Sequence, residues 1–520
     1  MKQLLMLSKP LLTITLCLFS LPILGGKNHH HGDEDMRRDD RALPVMARAC
    51  THAAARARHT PPPCVGRLHR DIVERLEHGR RLSMPLTEGL TVTANRITVQ
   101  RNEAGHSWFG KLQDRTGDMI VTIDGGLFLA TVYTGGKVYR VRQIGSREVR
   151  VETVEPQVFR ESDPPHLFRK QFTPPNLEEP PLVEAYDPRE FGYVGVNIGP
   201  DQDIRRIPPW TAQVDATPPA REDGYDIVLD DGSVIDVLPI ITNNAVDWVV
   251  AQTASGSYLP HGPSAARAYV QHAFDQLNLA LNESQIPTWF NMLPPKFVEY
   301  QGSPDTKAEL DRLHGKSDGA LDELHAWRNQ ALADLVVVIG APDDYPDVHG
   351  AAEAKLIGVN DPDSFVAIFE IDMQGQVFAH EMGHMLALGH DWFVQDSDAE
   401  GVGFGPGQHA PDGHGYNGPV VSVNGQRVMY RTIMAYAEKC EAIFEHSSEN
   451  GICEWLLRFS NPYLHYHIVE ANAAFPLGIP LPYEEAANAA NAVKSELSGV
   501  ANYRHSACRN FPDFPFCPND

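Results

Sequence analysis

His380-Glu381-Met382-Gly383-His384-Met385-Leu386-Ala387-Leu388-Gly389-His390-Asp391 is the stretch on which the reading of this chain depends. On an α-helix His380 and His384 lie one turn apart, offset by ~40° about the axis, so both imidazoles reach one point. Nitrogen ligands at that spacing suit a Zn2+ ion. Glu381 lies ~100° round from His380, too far to ligate easily but near enough to touch a water held by the metal. Phe378, Met382 and Met385 fall on the opposite side and are expected to pack against a core. His390 follows six residues after His384. Three protein ligands plus one water is the usual catalytic zinc arrangement, whereas a structural zinc takes four. The plain alternative is a core helix with two satisfied histidines, and a third imidazole at this distance argues against it.

Upstream of the motif the pattern is α/β. Val234–Thr242 (VIDVLPIIT), Asp334–Gly340 (DLVVVIG) and Phe365–Ile371 read as buried strands. Ser264–Leu281 reads as an amphipathic helix, and Thr306–Ala333 holds one or two more. Such alternation implies a mostly parallel sheet with helices packed on it. Asp372 is the expected N-cap of the zinc helix.

Residues 156–222 are punctuated by Pro164-Pro165, Pro174-Pro175, Pro180-Pro181, Pro208-Pro209 and Pro218-Pro219. Long helices and central strands are excluded there, so the segment reads as an extended linker, with Arg205-Arg206 and Arg221 as places for a protease to cut. Residues 87–155 are β-rich. Met119–Ile123, Leu127–Tyr133 and Val138–Ile144 alternate or run apolar, and Asp124-Gly125-Gly126 and Thr134-Gly135-Gly136 separate them as turns. A small antiparallel domain is expected. Residues 27–86 open on His29-His30-His31 and are rich in Arg, which suggests a basic N-terminal segment. Residues 1–26 carry Lys2, the apolar run Leu11–Leu24 and Gly25-Gly26, the layout of a secretory signal. The run is short for a membrane span, so no stable insertion is expected.

The 520 residues suggest about three domains. With 44 basic and 68 acidic residues the net charge is −24, which argues against a nucleic-acid partner. Of seven cysteines, Cys17 lies in the leader. Close spacing favours the pairs Cys50–Cys64, Cys440–Cys453 and Cys508–Cys517 in an oxidising destination. A free Cys64 thiolate on the zinc is the sharper alternative, at the cost of an unpaired Cys50.

Beyond His390 the chain is Gly-rich. Asp396, Asp398, Glu400 and Gly401 match the first half of a Ca2+ loop, but Gly407 stands where its closing carboxylate belongs. A solvated acidic loop is the plainer reading. His409 and His414 read as surface or as the rim of a substrate cleft. Then comes Arg431-Thr432-Ile433-Met434-Ala435-Tyr436.

With the zinc motif in place, that stretch resembles the Met-turn of the metzincin metallopeptidases. Asp391 after the third histidine narrows the resemblance to the reprolysin-like (adamalysin-like) branch. Cys440, Cys453, Arg458-Phe459-Ser460-Asn461-Pro462, Asn488–Asn491 and Val500-Ala501-Asn502-Tyr503-Arg504 are similar to its secreted bacterial members. The resemblance covers roughly residues 234–504. It implies a cleft, with a twisted mixed sheet and the zinc helix above and an irregular part carrying His390 and Met434 below. Met434 would be a hydrophobic floor under the metal, an ordinary core methionine being the alternative. Tyr436 would be a fifth ligand, a donor to the developing oxyanion, or a buried structural tyrosine.

The implied fold is an α/β (α+β) metzincin-like catalytic domain over residues 223–505, preceded by a propeptide-like β domain and followed by a tail over 506–520. The implied activity is that of a secreted, monomeric zinc endopeptidase made as a zymogen and acting on protein or peptide. Glu381 would be its general base, and His380, His384 and His390 its metal ligands. A catalytically silent binding protein of the same fold is the alternative, and the intact Glu381 argues against it. Phe365–Ile371 is the strand expected at the substrate edge. The motif normally has glycine where Ala387 stands. A helix continued past His384 would carry His390 ~9 Å along the axis and ~240° round it, out of reach. The helix therefore has to break, with Ala387 in a strained left-handed turn or with the turn moved to Gly389.

Overall fold

Short period-two runs and tight glycine turns build the first half of the chain. The computed structural model describes residues 42–52, 64–154, 230–252, 262–346, 349–352, 362, 365–373, 375–397, 411–446, 451–483 and 485–505. Its first elements are β1 (Leu43–Pro44), β2 (Met46–His52), β3 (Cys64–Leu68), α1 (Ile72–Leu76), β4 (Arg81–Thr87) and β5 (Leu90–Asn102). Then come β6 (Gly105–Leu112), β7 (Asp118–Asp124), β8 (Leu127–Thr134), β9 (Lys137–Gln143) and β10 (Glu148–Val154). Together they make a ten-stranded sheet of order β1-β4-β5-β6-β7-β8-β9-β10-β3-β2. Hairpins join the central strands. Gly125 and Gly126 (φ +56° and +86°) and Gly135 and Gly136 (φ +60° and +71°) supply the paired left-handed residues of two-residue turns.

The sheet begins at Leu43, well inside the segment 27–86 that reads as a basic tail. Leu82, Met84 and Leu86 alternate with polar residues along β4, and they share a core with Leu43, Ile72, Val92 and Trp108. Arg67 of β3 and Arg81 of β4 occupy the alternate, outward positions.

The second half opens with β11 (Val234–Thr242), α2 (Asn243–Gln252), α3 (Pro263–Glu283), β12 (Trp289–Met292) and β13 (Lys296–Val298). It continues through α4 (Thr306–His314), α5 (Leu324–Ala331), β14 (Leu335–Gly340), β15 (Gly350–Ala352), β16 (Val366–Glu370) and α6 (Gly375–His384). The sheet order is β12-β11-β14-β16-β15, with β13 also on β11. All pairs are parallel except β15 with β16. β14 and β16 are buried along their whole length, as parallel strands covered on both faces must be. β16 is therefore interior, and the edge expected at Phe365–Ile371 is instead the short antiparallel β15. Three small residues, Gly-Ala-Ala, carry no strand signal of their own.

After α6 follow α7 (Trp392–Ser397), β17 (Asn417–Val423), β18 (Gln426–Arg431), α8 (Glu438–His446) and β19 (Gly451–Trp455). Then come β20 (Asn461–Ile468), β21 (Ala473–Leu477) and α9 (Ala489–Val500). The Cys440–Cys453 disulfide ties α8 to β19, as its spacing suggests. Helix α3 is the joint of the molecule. One core contains Phe109, Ile120, Leu129 and Tyr133 of the N-terminal sheet, Val270, Ala273 and Phe274 of α3, and Phe378 of α6.

Candidate metal centre

Asp372 does not cap α6, which begins at Gly375. Its carboxylate is taken by two guanidinium groups of β9, Arg140 Nη1 at 2.8 Å and Arg142 Nη2. Arg140 Nη1 also donates to the Asp372 carbonyl at 2.9 Å. Gly375 lets α6 approach α3, since a Cβ there would fall 2.4 Å from Gln276 Cβ. The packing face of α6 is as its period requires. Phe378 packs between Phe274 and Phe369 in tilted ring contacts, with centroids 4.9 and 4.8 Å away, and Met382 and Met385 are fully buried.

On the other face His380 Nδ1 donates to the Ile433 carbonyl at 2.9 Å, and His384 Nδ1 donates to the Leu388 carbonyl at 2.8 Å. A carbonyl can only accept, so each ring carries its proton on Nδ1 and presents a bare Nε2. His384 Nε2 lies 3.1 Å from His380 Nε2 and 3.1 Å from His390 Nε2. Bare lone pairs this close repel unless a cation lies between them. Tetrahedral zinc with Zn–N of 2.0–2.1 Å separates its nitrogen ligands by ~3.3 Å. The donor set fits zinc, and the three histidines are the only metal-competent His/Cys/Asp/Glu cluster among the described residues.

His390 gets there because the helix is closed off by a Schellman motif. Leu388 N–H donates to the Gly383 carbonyl and Ala387 N–H to the His384 carbonyl, both at 3.0 Å. Ala387, at the position that favours glycine, has φ +62°. The reversal stays at Ala387 and does not move to Gly389, whose N–H instead reaches the Gly413 carbonyl at 2.9 Å. Asp391 then ties this limb to the Met-turn. Its buried carboxylate accepts from the Tyr436 N–H at 2.9 Å and the Phe393 N–H at 3.1 Å. Burial raises its pKa against those two bonds.

Met434 is fully buried beneath α6, and a Cβ on Gly383 would meet its sulfur at 2.5 Å. The turn is held by Arg431 Nη1 on the Ala435 carbonyl at 2.5 Å and by Trp455 Nε1 on the Thr432 carbonyl at 3.1 Å. Tyr436 Oη lies 3.3 Å from His390 Nε2, and its ring centroid is 4.5 Å from that of His390. Glu381 is buried under the edge strand, where a Cβ on Gly350 of β15 would stand 3.1 Å from its Cγ.

His414 is buried, and so is neither surface nor rim. Its Nδ1 donates to the His390 carbonyl at 2.8 Å, and its ring lies 4.1 Å from that of Trp392. Nothing in the spacing of a Gly-rich loop announces such a role. Cys64 is disulfide-bonded, which removes it as a thiolate ligand. Residues 1–41, His409, Asp398, Glu400, Gly401, Gly407, Cys508 and Cys517 lie outside the described residues, as does the side chain of Asp396. The Ca2+ expectation gains no support.

The pattern of metallo-peptidase family M12B, reprolysin-like, matches residues 263–453 of this chain. Three similar proteins are named peptidyl-Asp metalloendopeptidase. That of Stenotrophomonas maltophilia strain K279a is 23% identical over 433 residues, covering 80% of this chain and 81% of its own. That of Xanthomonas campestris pv. campestris is 23% identical over 433 residues, covering 80% of each chain. That of S. maltophilia strain R551-3 is 24% identical over 408 residues, covering 75% of this chain and 76% of its own. Among solved structures, metalloproteinase-II from Bacteroides fragilis aligns with a TM-score of 0.31 and 9% identity, over 62% of this chain and 86% of that one. A likeness that weak sets no constraint on the fold.

Proposed function

We propose that this chain, a reprolysin-like zinc metalloendopeptidase, is secreted as a zymogen and hydrolyses peptide bonds with Glu381 as general base. The observation that carries the reading is the convergence of three Nε2 atoms, 3.1 Å apart along His380–His384–His390, beside a buried glutamate under β15, the edge strand among the described residues. His380, His384 and His390 would hold the metal. When bound, zinc supplies Lewis acidity and lowers the pKa of water toward ~7.

The chain's own groups do the rest. Glu381 takes a proton from the attacking water as the carbon–oxygen bond forms, then gives it to the amide nitrogen as the carbon–nitrogen bond breaks. The distance of 3.3 Å between Tyr436 Oη and His390 Nε2 supports a role for Tyr436 as a donor to the oxyanion. Among the described residues β15 is the edge of its sheet, which supports a substrate adding as a strand against Glu381. Both groups stand on elements locked by packing, so little reorganisation accompanies the reaction.

The shared name of the relatives supports cleavage at peptidyl-Asp bonds. Secretion is supported by the leader-like residues 1–26 and by the Cys440–Cys453 disulfide, which suits an oxidising compartment. No helix among the described residues is long and apolar enough to cross a membrane. The activating cut is assigned to the Pro-rich segment 156–222, which lies outside the described residues.

The test is digestion of casein and of peptides with and without aspartate, before and after zinc chelation. Glu381→Ala should keep zinc and lose about two to four orders of magnitude in turnover. Full turnover in the zinc-replete variant would remove Glu381 from the mechanism.

A further inference from the structure

We propose that a cut in residues 156–222 does not release the N-terminal sheet: it stays bound as a second chain of the mature enzyme and braces the entry to the zinc helix. This rests on the reading that the chain is processed in that segment, and on contacts of three kinds.

The first is a group of four charges, with Arg458 and Asp118 buried and Lys111 at its exposed rim. Arg458 Nη2 lies 3.1 and 3.0 Å from the two carboxylate oxygens of Asp118 on β7, and 2.8 Å from Glu283 Oε2 at the end of α3. Lys111 of β6 closes the group, 2.8 Å from Asp118 and 2.6 Å from Glu283. Each half brings one cation and one anion, and the pairs Arg458–Asp118 and Lys111–Glu283 cross between the halves. Withdrawing the sheet would leave Arg458, 3% exposed, without Asp118.

The second is a polar seam along α3. His272 is bonded on both ring nitrogens, by Thr122 Oγ1 at 2.7 Å and Thr131 Oγ1 at 2.8 Å. Asp275, 2% exposed, accepts from Ser107 Oγ at 2.5 Å and from Thr122 Oγ1. Tyr133 Oη donates to Gln276 Oε1. Around this seam the apolar residues of the two halves form one core. A separable inhibitory piece is expected to meet its enzyme through a wetter, more polar surface; a shared core belongs to a permanent interface.

The third reaches the zinc helix. Arg140 and Arg142 hold Asp372, in the turn between β16 and α6. Gln276, bonded to Tyr133 of the sheet, fills the space beside Gly375 at the first residue of α6. The sheet thus sets where the helix bearing His380 begins, without itself contributing a ligand.

The test uses the full chain with a recognition sequence for an unrelated site-specific protease inserted after Arg206, loaded with zinc and cut to completion. On native gel filtration with mass measurement both fragments should elute in one peak, one to one, with the zinc retained. They should part only in denaturant strong enough to unfold the protein. A C-terminal fragment that elutes alone, folded and zinc-loaded, would overturn the proposal. In the uncut chain, Arg140→Ala with Arg142→Ala should speed amide exchange over residues 375–384 about tenfold; unchanged exchange would refute the bracing role. Because the cut is engineered, failure to find natural processing in 156–222 would count against the zymogen reading and leave this result standing.

Discussion

The amide of Leu388 donates to the carbonyl of Gly383 at 3.0 Å, and this closure turns the chain so that His390 comes back to α6 beside His384. Between them Ala387 sits at φ +62°. For alanine the left-handed region costs about 1–2 kcal/mol, partly offset in glycine by its larger unfolded-state entropy of about 0.5–1 kcal/mol. Ala387→Gly should therefore keep activity and raise the melting temperature by a few degrees at most. A clear drop in melting temperature would show that Ala387 is not strained.

His390→Ala should abolish tight zinc binding, because a ligand is lost. His414→Phe is the subtler case. It keeps a ring against Trp392 but removes the hydrogen bond to the His390 carbonyl. Groups that orient ligands in this way typically account for 10–100-fold in metal affinity, so zinc competition should show a loss of about tenfold. Parental affinity in His414→Phe would mean that His414 only fills space.

Tyr436→Phe separates two roles for a hydroxyl 3.3 Å from His390 Nε2. As an oxyanion donor, its loss should lower kcat by about 10²-fold with zinc affinity and KM little changed. A fall in zinc affinity at unchanged kcat would identify a metal ligand instead.

Asp118 couples the two halves to pH. Burial pushes its carboxyl up, but Arg458 and Lys111 outweigh that and hold it at about 2, against 3.8 for the ordinary group. A depressed folded pKa adds stability that is complete above about pH 4 and disappears as pH falls through 2. Asp118→Asn should cost about 3–5 kcal/mol at pH 7, because Arg458 stays buried with one anion fewer. Its stability should also change less between pH 4 and pH 2 than that of the parent. Parallel acid-unfolding curves for the two proteins would rule out this coupling.

Local periodicity accounts for what could be read early. The spacing of His380, His384 and His390 follows from helix geometry plus one forced reversal, and the structure brings the three together. Val234–Thr242 is a strand with the bounds its apolar run, interrupted only by Asp236, suggests. The hairpins at Gly125-Gly126 and Gly135-Gly136 lie where their glycines mark them. In each case a few consecutive residues hold the signal, because a helix's side-chain period, a strand's apolar run and a turn's glycines are all local in the chain.

What escaped depends on partners far away in the chain. Asp372 has the look of an N-cap until Arg140 and Arg142, more than two hundred residues earlier, claim its carboxylate. Arg458 finds Asp118 across 340 residues, and α3 finds Ser107 and Thr122 across 168 and 153. β15 is an edge strand only because β16 lies beside it, and His414 is a support only because His390 folds back against it. The sequence by itself determined which three histidines come together and the donor set they offer a metal. The tertiary structure decided that the N-terminal sheet is built into the enzyme, because a buried charge or polar group is settled by whatever long-range partner repays its loss of water.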